Sequence, residues 1–311
     1  MKKLIKILVA VILIAAAYSA IPIAWLYIKK VPSSYTNEQA VGKLKSNKGE
    51  YFEFLAFGDN HGGFPFTDSA ALKLIRYMNK EDRFKKIPID FVVNLGDIAF
   101  INGTEWDYMT YNKLRSLLKW PVVTVTGNHD DDEIRNLIRF TKYIGARELA
   151  FPDRNSYFIV LDNRLNDVSE NQFIWLEDEL KKSSEYQHRF IFLHKSPLSL
   201  YQQSWFRPEL SPWSYRFMKL CEKYKVDMVF SGHEHMFRKA RHGGVIYITS
   251  GGGGMFTQIP ESEGGFLHYV VVRIYGDYVD YEVRKIFPPL WEFLTYYMWK
   301  ELFYFLRNAI Y

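Results

Sequence analysis

Aspartate, asparagine and histidine recur in five short clusters along the chain, and four of these clusters contain a glycine. The clusters are Phe57-Gly58-Asp59-Asn60-His61, Leu95-Gly96-Asp97, Thr126-Gly127-Asn128-His129-Asp130, His194 and Ser231-Gly232-His233-Glu234-His235. Carboxylate and imidazole groups together suit borderline divalent metals such as Mn²⁺, Fe²⁺ and Zn²⁺. One carboxylate that bridges two such ions would hold them about 3.5–4 Å apart, the separation used for displacement at phosphorus. The clusters therefore predict a two-metal hydrolytic centre.

Each cluster follows a short apolar stretch of the kind typical of a buried β-strand. The predicted strands are Tyr51–Phe57, Asp90–Leu95, Val122–Thr126, Tyr157–Leu161, Arg189–Leu193, Val226–Phe230 and Val245–Thr249. In open α/β sheets, ligands bind beyond the carboxyl ends of the strands. In Asp59-x-His61 and His233-x-His235, side chains two residues apart can point to one side of an extended segment. Five loops that are distant in sequence can thus converge on one site.

Helical patterns alternate with these strands, which predicts an α/β protein with a partly parallel sheet. The predicted helices are Thr67–Asn79, capped by Thr67 or Ser69; Ser169–Lys182, with a capping box of Ser169 and Gln172; and Pro212–Lys225, capped by Ser211. Gly276-Asp277, between His268–Tyr275 and Tyr278–Lys285, predicts a hairpin.

The N-terminal region contains a charge-free run, Ile7–Ile28, between lysines on both sides. Its length suits a helix that crosses a bilayer, so residues 1–30 are predicted to be an uncleaved membrane anchor. A signal peptide is the alternative, but the run continues past its small residues to Trp25 and Tyr27, which suit the membrane interface. The lysine distribution favours a cytoplasmic N-terminus and an extracytoplasmic catalytic domain.

Three further regions follow this anchor. Residues 31–50 are polar and are predicted to be a linker, and 51–287 to be the catalytic domain. Residues 288–311 are aromatic but interrupted by charges, which fits either an interfacial membrane helix or a helix packed on protein. The net charge of +5 is scattered, so no specific nucleic-acid partner is expected, and the one cysteine, Cys221, is predicted to be a core thiol. Oligomeric state cannot be predicted.

The five clusters, taken in order, resemble the motifs of the calcineurin-like metallophosphoesterases: Asp-x-His, Gly-Asp, Gly-Asn-His-Asp/Glu, His and Gly-His-x-His. This resemblance implies a four-layer αββα sandwich of mixed sheets and a centre of two divalent ions, Mn, Fe or Zn, with Mn favoured. By position, it implies a first metal on Asp59, His61, Asp97 and His235 and a second on Asp97, Asn128, His194 and His233. His129 would face the scissile phosphate as an acid or charge stabiliser, with Asp130 as a candidate to orient it.

Two departures narrow the branch that the resemblance implies. Purple acid phosphatases carry a tyrosine three residues after the bridging aspartate, where this chain has Phe100. They also lack the first-motif histidine, which is present here as His61. The chain is therefore more similar to the cyclic-nucleotide phosphodiesterase and general phosphoesterase branches.

The leading hypothesis is a membrane-anchored enzyme whose metals activate water for attack on a phosphate mono- or diester. A lipid or lipid-linked phosphoester is the alternative substrate, and a non-catalytic membrane scaffold is a further alternative. Gly251–Gly254 is predicted to be a tight turn near the metals rather than a phosphate cradle. Leu200–Phe217 could form a lid over the site or a packed surface loop.

Overall fold

In the computed structural model, the described residues are 24, 26–28, 34–44, 49–81, 87–131, 137–165, 167–198, 212–257 and 259–286. The helices are α1 (Asn37–Gly42), α2 (Pro65–Met78), α3 (Glu105–Arg115), α4 (Ile138–Tyr143), α5 (Glu170–Lys182) and α6 (Pro212–Lys223). The strands are β1 (Tyr51–Phe57), β2 (Ile89–Asn94), β3 (Val122–Thr124), β4 (Leu149–Asp153), β5 (Ser156–Val160), β6 (His188–Phe192), β7 (Met228–Ser231), β8 (Phe237–His242), β9 (Val245–Ser250), β10 (His268–Tyr275) and β11 (Tyr278–Lys285).

These strands form two mixed sheets. One has the order β11-β10-β1-β2-β3, in which β1, β2 and β3 are parallel, β10 is antiparallel to β1, and β11 pairs antiparallel with β10. The other has the order β4-β5-β6-β7-β9-β8, with four parallel strands between antiparallel edges. The carboxyl ends of the parallel strands carry the loops with the predicted ligands.

Aromatic side chains fill the space between the two sheets. The ring of Phe54 on β1 lies 5.2 Å from that of Phe190 and 5.8 Å from that of Phe230, both on the opposite sheet and both edge-on. Edge-to-face pairs of this kind stabilise a core beyond the burial of their area. Helices α2 and α3 cover the outer face of the first sheet, and α5 and α6 cover that of the second. The predicted αββα sandwich is therefore observed.

Local sequence signals predicted some element boundaries and missed others. The hairpin and the capping box of Ser169 and Gln172 are confirmed. Helix α2 begins at Pro65, so Thr67 lies inside it and does not cap it. The Thr67 hydroxyl instead faces the carbonyl oxygens of His61 and Phe64, to either of which it can donate. Helix α3, which begins after a capping box of Thr104 and Asp107, was missed. The predicted Ser211 cap lies outside the described residues.

Several described residues near the N-terminus pack onto the domain. Leu26 is buried against α2. The Asn37 side chain bonds to the backbone N–H and carbonyl of Thr124 on β3, so this part of the predicted linker is structured. In the described ranges, no helix is long and apolar enough to cross a membrane. Residues 1–23 of the predicted anchor and 288–311 of the predicted C-terminal helix lie outside those ranges.

Candidate metal centre

The backbone turns sharply at four of the predicted ligands. Asp59, His61, Asp97 and His233 have positive φ angles of 63°, 43°, 52° and 68°. Non-glycine residues seldom adopt this left-handed conformation, and it persists only where surrounding contacts enforce it. It occurs here just beyond strands β1, β2 and β7, so the turns direct side chains from three strand ends into one space.

Glycine at position 127 lets two of these loops approach each other. A Cβ atom at Gly127 would lie 2.1 Å from the backbone nitrogen of Asp97 and 2.2 Å from its Oδ1 atom. No side chain can be accommodated at such distances, because both neighbouring atoms belong to a buried loop. Gly127 therefore sets the position of the Asn128-His129 segment relative to Asp97.

One group of candidate ligands lies on the side of β1. Ligand atoms of Asp59, His61 and His235 lie within 4.8 Å of one another. His235 Nε2 is 3.7 Å from Asp59 Oδ1, and His61 Nε2 is 3.7 Å from Asp97 Oδ2. The Nδ1 atom of His235 bonds to the carbonyl oxygen of Phe256 at 2.9 Å, which directs Nε2 inward.

A second group lies on the side of β6 and β7 and shares Asp97 as a neighbour. Ligand atoms of Asp97, His194 and His233 lie within 4.8 Å of one another. His194 Nε2 is 3.3 Å from Asp97 Oδ2 and 3.0 Å from Asn128 Oδ1. Its Nδ1 atom bonds to the carbonyl oxygen of Leu95 at 2.9 Å. Asp97 therefore stands between the two groups, where a bridging carboxylate is required.

His129 lies beside the first group. Its ring centroid is 4.8 Å from that of His61, and its backbone N–H donates to Asp97 Oδ1 at 2.8 Å. Its Nδ1 atom pairs with the carbonyl oxygen of Phe100 at 3.0 Å. The expectation that Asp130 orients His129 is wrong, because the Asp130 carboxylate instead accepts hydrogen bonds from the backbone N–H groups of Gly127 and Ala99.

Burial and charge set the protonation of the cluster. Burial lowers the pKa of His61 to about 3 and that of His235 to about 4, so both imidazoles are neutral at physiological pH. Burial alone would lower the pKa of His194, but the carboxylate of Asp97 raises it to about 9. Burial alone would raise the pKa of Asp97, but the charge and hydrogen bond of His194 hold it well below its usual range. A cation bound here would displace the proton of His194.

His61 provides the test of whether these residues fit a metal. Its ring is buried, and neither of its nitrogens has a hydrogen-bond partner among the residues that the structure describes. Buried polar atoms without partners are costly and rare in native proteins. A neutral imidazole beside Asp97 and Asp59 is a suitable ligand for a divalent ion, so a bound metal would remove this cost. The residues present fit the group that the motifs imply.

Two buried asparagine contacts that hold the ligand loops were missed in the sequence analysis. Asn163 Oδ1 accepts hydrogen bonds from the backbone N–H groups of His194 and Lys195, each at 3.0 Å. Asn94 Nδ2 donates to Asn60 Oδ1 at 2.8 Å, which joins the β1 and β2 loops. Both asparagines could have been found by the rule that located the ligands, a polar residue at the carboxyl end of a strand, since Asn94 ends β2 and Asn163 comes shortly after β5.

The remaining predictions around the site have mixed outcomes. Gly251–Gly254 packs closely against the loop that follows β1, and the Gly253 N–H donates to the carbonyl oxygen of Gly58 beside Asp59; whether the segment is the predicted tight turn stays a prediction. Residues 200–211 of the proposed lid lie outside the described residues. In the rest of that segment, Trp213 and Phe217 are buried on α6, whereas Arg216 pairs with Glu170 at the surface.

The sequence profile described as "Calcineurin-like phosphoesterase" matches residues 52–237, which include all five clusters. The chain belongs to this family. It is 22% identical over 211 residues to a nucleotide pyrophosphatase/phosphodiesterase of Hordeum vulgare, covering 53% of this chain and 57% of that protein. It is 27% identical over 177 residues to purple acid phosphatase 13 of Arabidopsis thaliana, covering 48% and 32%. The match thus spans little more than half of the first relative and about a third of the second.

One solved structure has the same fold as this chain. It is described as "GAP50 the anchor in the inner membrane complex of Plasmodium", with a TM-score of 0.57 and 16% sequence identity. The similarity covers 76% of this chain and 85% of that one, and at this identity it extends to the fold alone. The relatives are named as a phosphodiesterase and as phosphatases, so they support a phosphoester hydrolase. The branch indicated by Phe100 and His61 stays a prediction.

Proposed function

We propose that this phosphoesterase hydrolyses a phosphate mono- or diester at a centre for two divalent ions. The observation that carries the proposal is the pair of adjacent ligand groups that meet at Asp97, with the two ring nitrogens of His61 buried beside it. The first ion would take Asp59, His61, Asp97 and His235, and the second Asp97, Asn128, His194 and His233. This mixture of carboxylate, amide and imidazole suits a borderline divalent ion such as Mn, Fe or Zn.

The protein groups have distinct tasks in this proposal. When bound, the two ions supply the Lewis acidity that makes water nucleophilic near neutral pH and offsets charge on the phosphoryl group. The His129 N–H bonds to Oδ1 of Asp97, and the His194 ring pairs with Oδ2 of the same carboxylate. With Nδ1 paired to the Phe100 carbonyl, His129 presents Nε2 as the atom that donates a proton to the leaving oxygen.

Replacement of Asp97 by Asn tests the shared ligand. We expect hydrolysis of bis-para-nitrophenyl phosphate to fall by more than about 100-fold, beyond the usual cost of losing a residue that only supports a ligand. Metal content, measured by mass spectrometry, should fall in the same protein. Asp178→Asn is the matched control, because Asp178 is an exposed helix residue paired with Lys181. A metal-loaded Asp97→Asn enzyme with activity within a few-fold of the original would overturn the proposal.

Two alternatives make different predictions in the same assay. If the chain is a non-catalytic scaffold, the metal-loaded protein hydrolyses neither monoesters nor diesters. If it acts on lipid phosphoesters, it cleaves these and leaves soluble nucleotides largely intact. The contacts of Tyr27 with the catalytic domain favour this second candidate, since they bring the end of the apolar N-terminal run onto the enzyme.

We also propose that the N-terminal run is a single-pass membrane anchor and that the catalytic domain lies outside the cytoplasm. Protease protection of the domain in sealed vesicles tests this orientation.

A further inference from the structure

Four exposed apolar side chains belong to the segments around the candidate metal centre and the end of the N-terminal apolar run. These are Ile28, Phe64, Ile101 and Trp106, whose exposed fractions are 84%, 37%, 55% and 46%, and they are called the apolar rim below. Single exposed apolar residues are ordinary on a protein surface. The apolar rim differs because Phe64 contacts Phe100 beside the metal ligands and Trp106 contacts Tyr27 at the end of the N-terminal apolar run. Ile101 and Ile28 directly follow Phe100 and Tyr27 in the chain.

The first set of contacts leads from the apolar rim to the site. The ring of Phe64 stacks on that of Phe100, with centroids 4.8 Å apart and planes 17° from parallel. Phe100 meets the ring of His61 edge-on at 6.4 Å, and its carbonyl oxygen bonds to His129. Ile101 is the next residue along the chain. The apolar rim is therefore one side chain away from a candidate ligand and the candidate acid.

The second set leads from the apolar rim to the N-terminal run. The rings of Tyr27 and Trp106 are 4.9 Å apart, and Trp106 Nε1 donates to the carbonyl oxygen of Gly63 at 3.1 Å. The Tyr27 hydroxyl donates to Asp68 Oδ2 at 2.6 Å, and Lys113 Nζ donates to the Tyr27 carbonyl oxygen at 3.1 Å. The end of the apolar run is thus fixed beside the loop that precedes α2.

We propose that the apolar rim lies against a lipid bilayer and holds the candidate metal centre at the level of the phospholipid headgroups. The run that ends at Ile28 contains no charge over residues 7–28, a length that matches the bilayer core. Because Tyr27 and Trp106 join the end of this run to the apolar rim, a bilayer that takes up the run also meets the apolar rim. Trp and Tyr are the residues that favour this interface.

A substrate class follows from this placement. A metal centre held at headgroup depth reaches the phosphoesters of the membrane lipids themselves. The apolar rim beside it suits the acyl or glycerol portion next to the phosphate. This step rests on the proposed function, since it assumes that the centre hydrolyses phosphoesters. The contact of the apolar rim with lipid does not depend on hydrolysis and can be measured separately.

Fluorescent labelling at Ile101→Cys measures the contact directly. The full chain is reconstituted into phosphatidylcholine–phosphatidylglycerol vesicles with an environment-sensitive label at this cysteine. The matched control is Ile174→Cys on α5, where the side chain is equally exposed at 55%. The native Cys221 is buried, so background labelling is low. We expect blue-shifted emission and quenching by brominated lipid at position 101 but not at 174. Equal emission at both positions would overturn the proposal.

Hydrolysis then tests the substrate class. Ile101→Glu should leave turnover of soluble para-nitrophenyl phosphate within about twofold and slow hydrolysis of phosphatidic acid in the same vesicles by roughly tenfold, because a charge at the interface opposes apolar contact. Loss of both activities to the same extent, or no effect on either, would contradict the substrate class. Absence of all hydrolysis in the unmodified enzyme would refute the proposed function, whereas the label would still report on lipid contact.

Discussion

The two histidines that approach the Asp97 carboxylate are held in different ways. Both nitrogens of His194 have partners, the carbonyl oxygen of Leu95 and Oδ1 of Asn128. Neither nitrogen of His61 has one among the described residues. The His194 side of the centre is therefore oriented by the protein's own hydrogen bonds, whereas the His61 side gains its ligand contacts when a cation binds.

The supports behind the two sides also differ. Asn163 holds the backbone of His194 from a neighbouring strand end of the same sheet. The His61 loop is held by α2, where Thr67 bonds to the His61 carbonyl oxygen and Asp68 accepts from the Gly63 N–H at 3.1 Å. Asp68 in turn accepts from Tyr27, so the N-terminal segment contributes to the His61 side. We infer that the His194 side of the centre has a fixed conformation. The conformation of the His61 side depends on bound metal and on the contact with the N-terminal segment.

Replacement of His129 by Asn asks whether the His61 side contains one more ligand than proposed. His61, Asp97 and His129 form a group whose ligand atoms also lie within 4.8 Å of one another. We expect kcat to fall by about 10²–10⁴-fold, the usual contribution of a general acid, while metal content stays unchanged. The loss should be larger for an alkyl phosphoester than for a para-nitrophenyl ester, whose leaving group needs little protonation. Kinetics with both substrates and metal analysis measure these effects.

Loss of one equivalent of metal in His129→Asn would break the comparison, because His129 would then belong to the metal-dependent half. A loss of activity that is equal for both leaving groups would point to charge stabilisation rather than proton donation. His242→Asn is the control, since His242 ends β8 at the exposed surface.

The candidate ligands could be predicted because each follows a strand that is evident from local sequence. The partners of those ligands could not. Phe100 orients His129 through its carbonyl oxygen, a group that every residue carries, so no residue type marks it. Thr67 looked like a helix cap but its hydroxyl serves the His61 loop, a contact that depends on how the loop folds. The α/β class followed from alternating patterns, and the four-layer sandwich was implied by the family resemblance. Helix α3 was missed, although its Thr104 and Asp107 form a capping box.

Alanine substitutions at His61 and His194 measure the difference between the halves in metal-free protein. Both side chains are fully buried, so the two cavities cost similar amounts. His194→Ala also leaves the Leu95 carbonyl and Asn128 without their partner, whereas His61→Ala removes two nitrogens that have no hydrogen-bond partner within the described part of the chain. We expect His194→Ala to lower the free energy of unfolding by about 1–3 kcal/mol more than His61→Ala. Urea denaturation with a chelator present measures this difference.

Addition of Mn²⁺ provides the internal control for these two variants. The metal should stabilise the unmodified protein and should stabilise both variants less, because each lacks a ligand. If the two variants are equally destabilised in chelator, the hydrogen bonds of His194 do not make its side of the centre more rigid. The proposed difference between the His194 and His61 sides would then be wrong.

The smallest expected effect concerns the support of the His61 loop by Tyr27. Burial raises the pKa of Asp68 from its usual 3.8 to about 7, against the opposing effect of the Tyr27 hydroxyl. The folded state therefore binds this proton more tightly than the unfolded state, and the stability that depends on it is lost as pH rises from about 4 through 7. Above pH 7 the Tyr27 hydroxyl donates to a charged carboxylate, and hydrogen bonds to charged groups contribute more.

Tyr27→Phe should consequently destabilise the protein more at pH 8.5 than at pH 5.5, with the two costs differing by about 1 kcal/mol. Urea denaturation of the full chain in mild detergent at both pH values measures this. In an Asp68→Asn background, Tyr27→Phe should lower the free energy of unfolding by the same amount at both pH values, because the titrating carboxyl group is gone. An equal cost at both pH values in the original background would mean that Tyr27 does not stabilise the Asp68 carboxylate. The N-terminal segment would then act through its other contacts, the ring of Trp106 and the hydrogen bond from Lys113 to the Tyr27 carbonyl oxygen.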